Sequence, residues 1–173
     1  MIFNMGERLK RRLKAAEGYL TLEMPDQALH ELAEISDPGD AAFRWHVLRG
    51  EALRAKQDYH HALESFQTAH ELQPEDLEVL LGMAWCFKRI GQVDQSIEVM
   101  RLAYHAHPEV PVVLYNLACY YSLALDKEQA LSWLGRALRM HQDFGKMIPD
   151  ESDFDPLRDD VDFQHLLELS IKH

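Results

Sequence analysis

The side chains with the widest chemical range in this 173-residue sequence are ten histidines and two cysteines. Their spacing does not bring them together. His60 and His61 are adjacent and His105 and His107 are two apart, so neither pair shares a helical face. Cys119 has no histidine or carboxylate placed beside it by local spacing, which an activated thiol nucleophile would need.

Signatures of enzymes and metal sites are also missing from the sequence. No HExxH, CxxC or glycine-rich phosphate loop is present. Cys86 and Cys119 are too few for a disulfide scaffold, so we expect both thiols to stay reduced. The sequence therefore predicts no catalytic residue, no cofactor and no metal, and the protein is not expected to be an enzyme.

The elements that carry these residues follow a repeat of 34 residues, which is the strongest signal in the sequence. Within each unit, apolar residues recur three and four apart, which indicates two amphipathic helices. The turn Lys56–Gln57–Asp58 is short, so we expect the paired helices to be antiparallel and close. Small residues recur where the two helices should meet: Ala16 and Ala28, Gly50 and Ala62, Ala84 and Ser96, Ala118 and Ala130.

Two stretches, GEALRAKQDYHHALESFQTAHELQP (50–74) and YNLACYYSLALDKEQALSWLGRAL (115–138), resemble the consensus of the tetratricopeptide repeat (TPR) family. The resemblance extends over roughly residues 10–140. It implies an all-α, right-handed solenoid of about four helix pairs, closed by a C-terminal capping helix. The expected organisation is a lead-in (1–8), four units (about 9–40, 43–74, 77–108 and 111–142), then an acidic linker and the capping helix (143–173).

Composition narrows the classes of partner. The formal net charge is −11, which argues against nonspecific nucleic-acid binding and against attraction to an anionic membrane. No apolar run approaches the roughly 18 residues of a membrane-spanning helix. The start, MIFNMGERLKRR, has no apolar segment that would act as a secretion signal. We therefore expect a cytoplasmic protein.

The family resemblance implies that the first helix of each pair lines a concave groove that binds a partner. Large aromatic residues in such a groove are typical anchors, and Trp85 and Tyr115 have that character. The alternative for Trp85 is packing against a neighbouring helix or the C-terminal tail. The predicted groove residues are Arg44, Val47, Glu51, Arg54, Leu81, Trp85, Lys88, Arg89, Tyr115, Asn116, Cys119 and Ser122.

Charge in the predicted groove differs from charge in the whole chain. Its columns carry a net charge of +3, from Lys10, Lys14, Arg44, Arg54, Lys88 and Arg89 against Glu17, Glu51 and Glu78. This pattern favours a peptide whose acidic residues flank an apolar anchor. A clamp for a C-terminal carboxylate is not expected. Its positions hold Val47, Glu51, Gly82, Val112 and Asn116, and of these Asn116 alone fits.

The functional prediction is a non-catalytic module that binds a peptide or helix of a protein partner in the groove. Two alternatives stay open: a small TPR-type secretion chaperone, and an assembly adaptor that works as a homo-oligomer. The tail is expected to cap the array. Aspartates favour the start of its last helix, and its apolar face carries Phe163, Leu166, Leu167, Ser170 and Ile171.

Overall fold

The computed structural model describes residues 5–171, and every regular element in that range is helical. This confirms the all-α repeat fold predicted from the sequence. The predicted lead-in residues Ile2 and Phe3 lie outside the described residues. The chain divides into two compact units at Ile90–Gly91.

Over its described residues, 5–90, unit 1 contains five α-helices and one short 3-10 turn, at Gly39–Ala41. The helices are α1 (Met5–Thr21), α2 (Pro25–Ala33), α3 (Ala42–Ala55), α4 (Tyr59–Leu72) and α5 (Leu77–Arg89). Helix α2 begins at a proline, which costs no hydrogen bond because the first helical N–H has no intrahelical partner.

Phe66 is the central side chain of the α3–α5 layer in unit 1. It extends from α4 and is fully buried. A Cβ atom added at Gly50 of α3 would lie 2.8 Å from its ring, and one added at Gly82 of α5 would lie 2.7 Å from it. The small residue at 50 was expected to let two helix backbones approach. The structure shows instead that both glycines make room for an aromatic ring.

Unit 2 contains three long helices followed by a compact tail. The helices are α6 (Val93–Ala106), α7 (Pro111–Leu123) and α8 (Lys127–Met140). The tail comprises α9 (Phe144–Met147), 3-10 turns at Ile148–Asp150 and Ser152–Leu157, and α10 (Val161–Ile171). Phe144, Ile148, Phe154, Leu157 and Phe163 of the tail are all buried.

The turns inside the helix pairs share one backbone conformation at a fixed position. Glu23, Gln57, Gly91 and Leu125 lie 34 residues apart and have φ values of 56°, 62°, 81° and 61°. Left-handed φ favours glycine, because a Cβ atom crowds the following carbonyl. Three of the four turns therefore hold a strained non-glycine residue.

Aspartates cap the helices that follow two of these turns and the helix that follows one inter-repeat linker. Asp58, Asp76 and Asp126 each accept a hydrogen bond from the backbone N–H three residues on, at 3.5, 3.0 and 3.1 Å. These bonds satisfy N–H groups that have no partner inside the helix.

Candidate functional site

The predicted groove residues fall on both units. Eight of them lie on α3 and α5 of unit 1, and four lie on α7 of unit 2. Burial separates them further. Arg44, Glu51, Arg54, Leu81, Trp85, Lys88, Arg89 and Asn116 are at least partly exposed, whereas Val47, Tyr115, Cys119 and Ser122 are buried.

Trp85 is the centre of an aromatic and basic cluster in unit 1. Its ring meets that of Tyr59 edge to face, with centroids 5.3 Å apart. The guanidinium carbon of Arg54 lies 5.1 Å from the centroid of the Trp85 ring, and that of Arg89 lies 5.5 Å from it. Arg89 also lies 5.2 Å from the ring centroid of Tyr59. We call Arg54, Tyr59, Trp85 and Arg89 the Trp85 cluster.

Local sequence explains how the cluster forms. Trp85 and Arg89 are four apart on α5, so they share one helical face. Tyr59 follows the turn after α3, which places it at the start of α4, and Arg54 is in the last turn of α3. Three helices of unit 1 thus each contribute side chains to one partly exposed surface.

Ion pairs neutralise much of the charge counted for this face. Arg44 contacts Glu17 at 2.5 Å and Glu78 at 3.5 Å, and Arg54 pairs with Glu51. Burial raises the pKa of the Glu78 carboxyl in spite of the opposing effect of Arg44. All three acids of the predicted face are therefore paired, and Arg89 is its exposed arginine.

Tyr59 is the member of the cluster that was not predicted for the groove. The sequence pattern placed it on the apolar face of α4, with the packing residues. A signal was available, because the same column holds Pro25, Val93 and Lys127 in the other units and an aromatic residue only here. Residues at a helix start can reach the end of the preceding helix, and this one does.

In unit 2, the tail covers the corresponding face of α7. Tyr115 stacks on Phe144, with centroids 4.7 Å apart and planes 25° apart, and meets Phe154 edge to face at 5.8 Å. The expectation that Tyr115 faces a partner therefore differs from the structure, in which it is 3% exposed. The reason is physical: the two tail phenylalanines remove its ring from water.

The tail is held on unit 2 by polar contacts as well. Arg158 donates from Nη1 to the carbonyl of Ile148 at 2.8 Å and from Nη2 to that of Glu151 at 2.6 Å. Its Nε contacts the carboxylate of Asp155 at 3.1 Å. Lys127 of α8 lies 2.7 Å from the Asp160 carboxylate.

Polar side chains are also buried beneath the tail. Ligand atoms of Cys119, Glu151 and Asp153 all lie within 4.8 Å of one another. The Tyr115 hydroxyl is buried and has no hydrogen-bond partner among residues 5–171. Burial, and then the nearby Cys119, Glu151 and Asp153, raise the pKa of that phenol above its ordinary range.

Unit 2 has an aromatic and basic cluster of its own on its other helices. Arg136 of α8 lies 4.2 Å from the centroid of the Trp133 ring and 5.0 Å from that of Tyr104. The two rings meet edge to face at 4.9 Å. This cluster contains the same residue types as the Trp85 cluster, with one arginine in place of two. It lies on α6 and α8, which the repeat pattern does not assign to the groove.

Comparison with known proteins identifies the repeat. The sequence pattern of the tetratricopeptide repeat family matches residues 53–109. This match supports the tetratricopeptide repeat predicted from the sequence. Over 57 residues it is 26% identical to anaphase-promoting complex subunit 3 of Dictyostelium discoideum, in a match that spans 33% of this chain and 6% of that protein.

Solved structures share the fold over most of the chain. A crystal structure of MamA superimposes with a TM-score of 0.73 at 16% identity, covering 80% of this chain and 81% of that one. MamA from Desulfovibrio magneticus superimposes with a TM-score of 0.73 at 20% identity, covering 98% of this chain and 99% of that one. A thermophilic TPR protein of Thermus thermophilus superimposes with a TM-score of 0.67 at 13% identity, covering 95% of this chain and 100% of that one.

Tetratricopeptide repeats are in general scaffolds for protein interactions. Within residues 5–171, no helix has the length and apolar character that crossing a bilayer requires.

Proposed function

We propose that this TPR chain binds an acidic peptide or helix of a protein partner on unit 1, with the Trp85 cluster as the central contact. The observation that carries the proposal is the partly exposed Trp85 ring between two guanidinium groups, 5.1 and 5.5 Å from its centroid. Tryptophan, tyrosine and arginine are the residues most enriched at binding hot spots.

The chemistry of the cluster suits an apolar side chain beside a carboxylate. The Trp85 and Tyr59 rings offer an apolar contact surface, and a carboxylate can pair with the planar guanidinium of Arg89. Arg54 already pairs with Glu51, so Arg89 is the better positioned of the two to meet an incoming acid. The net charge of −11 on the whole chain would disfavour acidic ligands elsewhere on its surface.

The first experiment identifies a ligand. Peptides are selected from a displayed random library on the full-length protein and counter-selected on the Arg54→Glu, Lys88→Glu, Arg89→Glu variant. We expect enrichment of sequences with Asp or Glu beside an aromatic or aliphatic residue. Equal enrichment on the wild type and the variant would contradict the proposal.

The second experiment tests the cluster with a matched control. Trp85→Ala should weaken binding of a selected peptide by roughly 2 kcal/mol or more if Trp85 is a hot spot. Trp133→Ala removes the same ring type from the cluster on α6 and α8 of unit 2 and should leave affinity unchanged. Circular dichroism shows whether both variants are folded. Equal losses in the two variants would place the binding surface elsewhere.

Salt gives an independent measurement of the charge contribution. Affinity should fall as the screening length drops below about 10 Å, which occurs above about 0.1 M salt. Titrations of the selected peptide at low and high salt, on the wild type and on the charge-reversed variant, separate charge from apolar contact. A salt-independent affinity would remove the acidic ligand from the proposal.

A further inference from the structure

We propose that unit 2 holds one divalent transition-metal ion of the zinc type between α7 and the tail, bound by the sulfur of Cys119 and the carboxylates of Glu151 and Asp153. The ligand atoms of these three residues lie within 4.8 Å of one another. The three ligand atoms are close enough for small side-chain movements to bring them onto one ion bonded to sulfur at about 2.3 Å and to oxygen at about 2.0–2.2 Å.

The backbone fixes the geometry of the site. Cys119 is on α7, and Glu151 and Asp153 flank the start of the second 3-10 turn of the tail. A carboxylate oxygen of Glu151 accepts the backbone N–H of Asp153 at 3.1 Å, which orients one acid beside the other. Arg158 donates to the Glu151 carbonyl, which holds the same turn in place.

A second observation points to a ligand at this place. The Tyr115 side chain lies one helical turn before Cys119, is 3% exposed, and is enclosed by Phe144 and by Phe154, the neighbour of Asp153. Its buried hydroxyl lacks a hydrogen-bond partner within residues 5–171, and an unsatisfied buried hydroxyl is costly. Three protein ligands leave one position of a tetrahedral zinc site for water, and that water would supply the missing partner.

Charge favours a cation there. Asp153 is 7% exposed and Glu151 is partly buried, and buried carboxylates are stable when they are paired or bind a metal.

The mixed ligand set selects the class of metal. Thiolate suits zinc and other late transition metals, whereas calcium and magnesium prefer oxygen ligands alone. Binding releases the thiol proton of Cys119 to solvent, because the thiolate is the form that ligates, so affinity should rise with pH. No oxidation or reduction is involved.

Cobalt is the probe that reports the ligand directly. Full-length protein, treated with a chelator and then freed of it, is titrated with Co²⁺ while absorption is followed. We expect one equivalent to bind with a thiolate-to-cobalt charge-transfer band, and Zn²⁺ to displace the cobalt. A titration that gives no saturable band, or a band with no thiolate character, would overturn the proposal.

Variants distinguish this site from the ten histidines, which also bind cobalt. Cys119→Ala should abolish the charge-transfer band, and the control Cys86→Ala, also a buried cysteine, should leave it unchanged. Asp153→Asn removes the carboxylate charge and keeps the side chain nearly the same size. Tyr115→Phe should weaken Zn²⁺ binding about 10–100-fold, as loss of an outer hydrogen bond to a metal site does.

Folding is monitored by circular dichroism, and a second measurement avoids dependence on the buried variants. One equivalent of Zn²⁺ should raise the melting temperature of the wild-type protein and of Cys86→Ala. The proposal is overturned if Zn²⁺ leaves the wild-type melting temperature unchanged, or if a folded Asp153→Asn variant binds Co²⁺ as the wild type does.

Discussion

Helices α5 and α7 open successive repeats, yet residues 34 places apart in them have opposite surroundings. Trp85 is partly exposed between two arginines, whereas its counterpart Cys119 is buried beneath the tail. Leu81 reaches solvent, whereas its counterpart Tyr115 stacks on Phe144. The same repeat position can therefore be exposed in one repeat and buried in another, depending on whether another segment packs over it.

The two helices differ in sequence as their surroundings require. Helix α7 contains no charged residue, and eight of its residues are buried. Helix α5 carries Glu78, Lys88 and Arg89, which keep one of its faces in water. A helix that is apolar all round needs cover on all sides, and the tail provides it for α7.

The largest expected effect comes from emptying the tail core. Phe154→Ala should cost about 3–5 kcal/mol in the free energy of unfolding, because the ring is fully buried against Tyr115 and Phe163. Trp85→Ala should cost less, because Trp85 is partly exposed. Denaturant unfolding measures both. Equal costs would show that the two faces do not differ in burial.

A smaller loss is expected when the interior of unit 1 is overfilled. Gly50→Leu should destabilise by more than about 2 kcal/mol, because its side chain must enter the space of the Phe66 ring. The control is Gly135→Ala in unit 2, whose added Cβ would lie 3.6 Å from the nearest atom, an ordinary van der Waals contact, and this change should stabilise α8 by about 0.5–1 kcal/mol. A Gly50→Leu protein that melts within a degree of the wild type would contradict this packing.

Loosening the tail should expose one cysteine and not the other. Arg158→Ala removes donors to two tail carbonyls. Each 1.4 kcal/mol lost makes opening about tenfold more frequent. Alkylation of Cys119 should accelerate accordingly, with chelator present to keep the site free of metal.

Cys86 is the internal control for that measurement. It lies in unit 1, and burial raises the pKa of its thiol to about 11, so it should react slowly in both proteins. Mass spectrometry after partial alkylation gives the two rates separately. Equal acceleration at both cysteines would mean global unfolding, and unchanged rates would mean that Arg158 does not hold the tail.

Acidification should produce the smallest effect. The hydrogen bond from Lys127 lowers the pKa of Asp160, which also accepts the N–H groups of Asp162 and Phe163 at the start of α10. A lowered folded pKa stabilises the protein above the unfolded pKa, near 3.9, and this stabilisation is lost as pH falls through the folded value.

Melting temperature against pH tests that linkage. Between pH 6 and pH 3, the melting temperature of the wild type should fall further than that of Asp160→Asn. The melting temperature of Lys127→Met should fall about as far as that of the asparagine variant. Parallel curves for the three proteins would show that the pair does not stabilise the tail.

The sequence predicted the repeat, its helix pairs and the final helix of the tail. Small and apolar residues recur at fixed spacing in the repeats, and the final helix has an apolar face. It did not predict that Tyr115 is covered. The repeat period shows which helical face a residue lies on. Whether that face is covered depends on where the tail folds back and places Phe144 and Phe154. The Cys119, Glu151 and Asp153 group was missed for the same reason, since its members are 32 and 34 residues apart and meet only through the tail.

The sequence also did not predict which charged residues form ion pairs. Counting residues gave a net positive face, but the partner of each arginine depends on helix packing. Arg44 reaches Glu17 and Glu78 on two other helices. A long side chain can reach several neighbours on other helices. Residue spacing along one helix does not show which of these neighbours it contacts.

The left-handed position in the four turns lets the local stability of each repeat be adjusted independently. Leu125 has a φ of 61° and is 77% exposed, so its side chain contributes little packing in exchange for its strain. Relieving a left-handed non-glycine residue is worth on the order of 1 kcal/mol, less the added freedom of glycine in the unfolded chain. Because the stability of a repeat array is close to a sum of local terms, a glycine at position 23, 57 or 125 would stabilise one turn without changing any residue of the Trp85 cluster or of the tail.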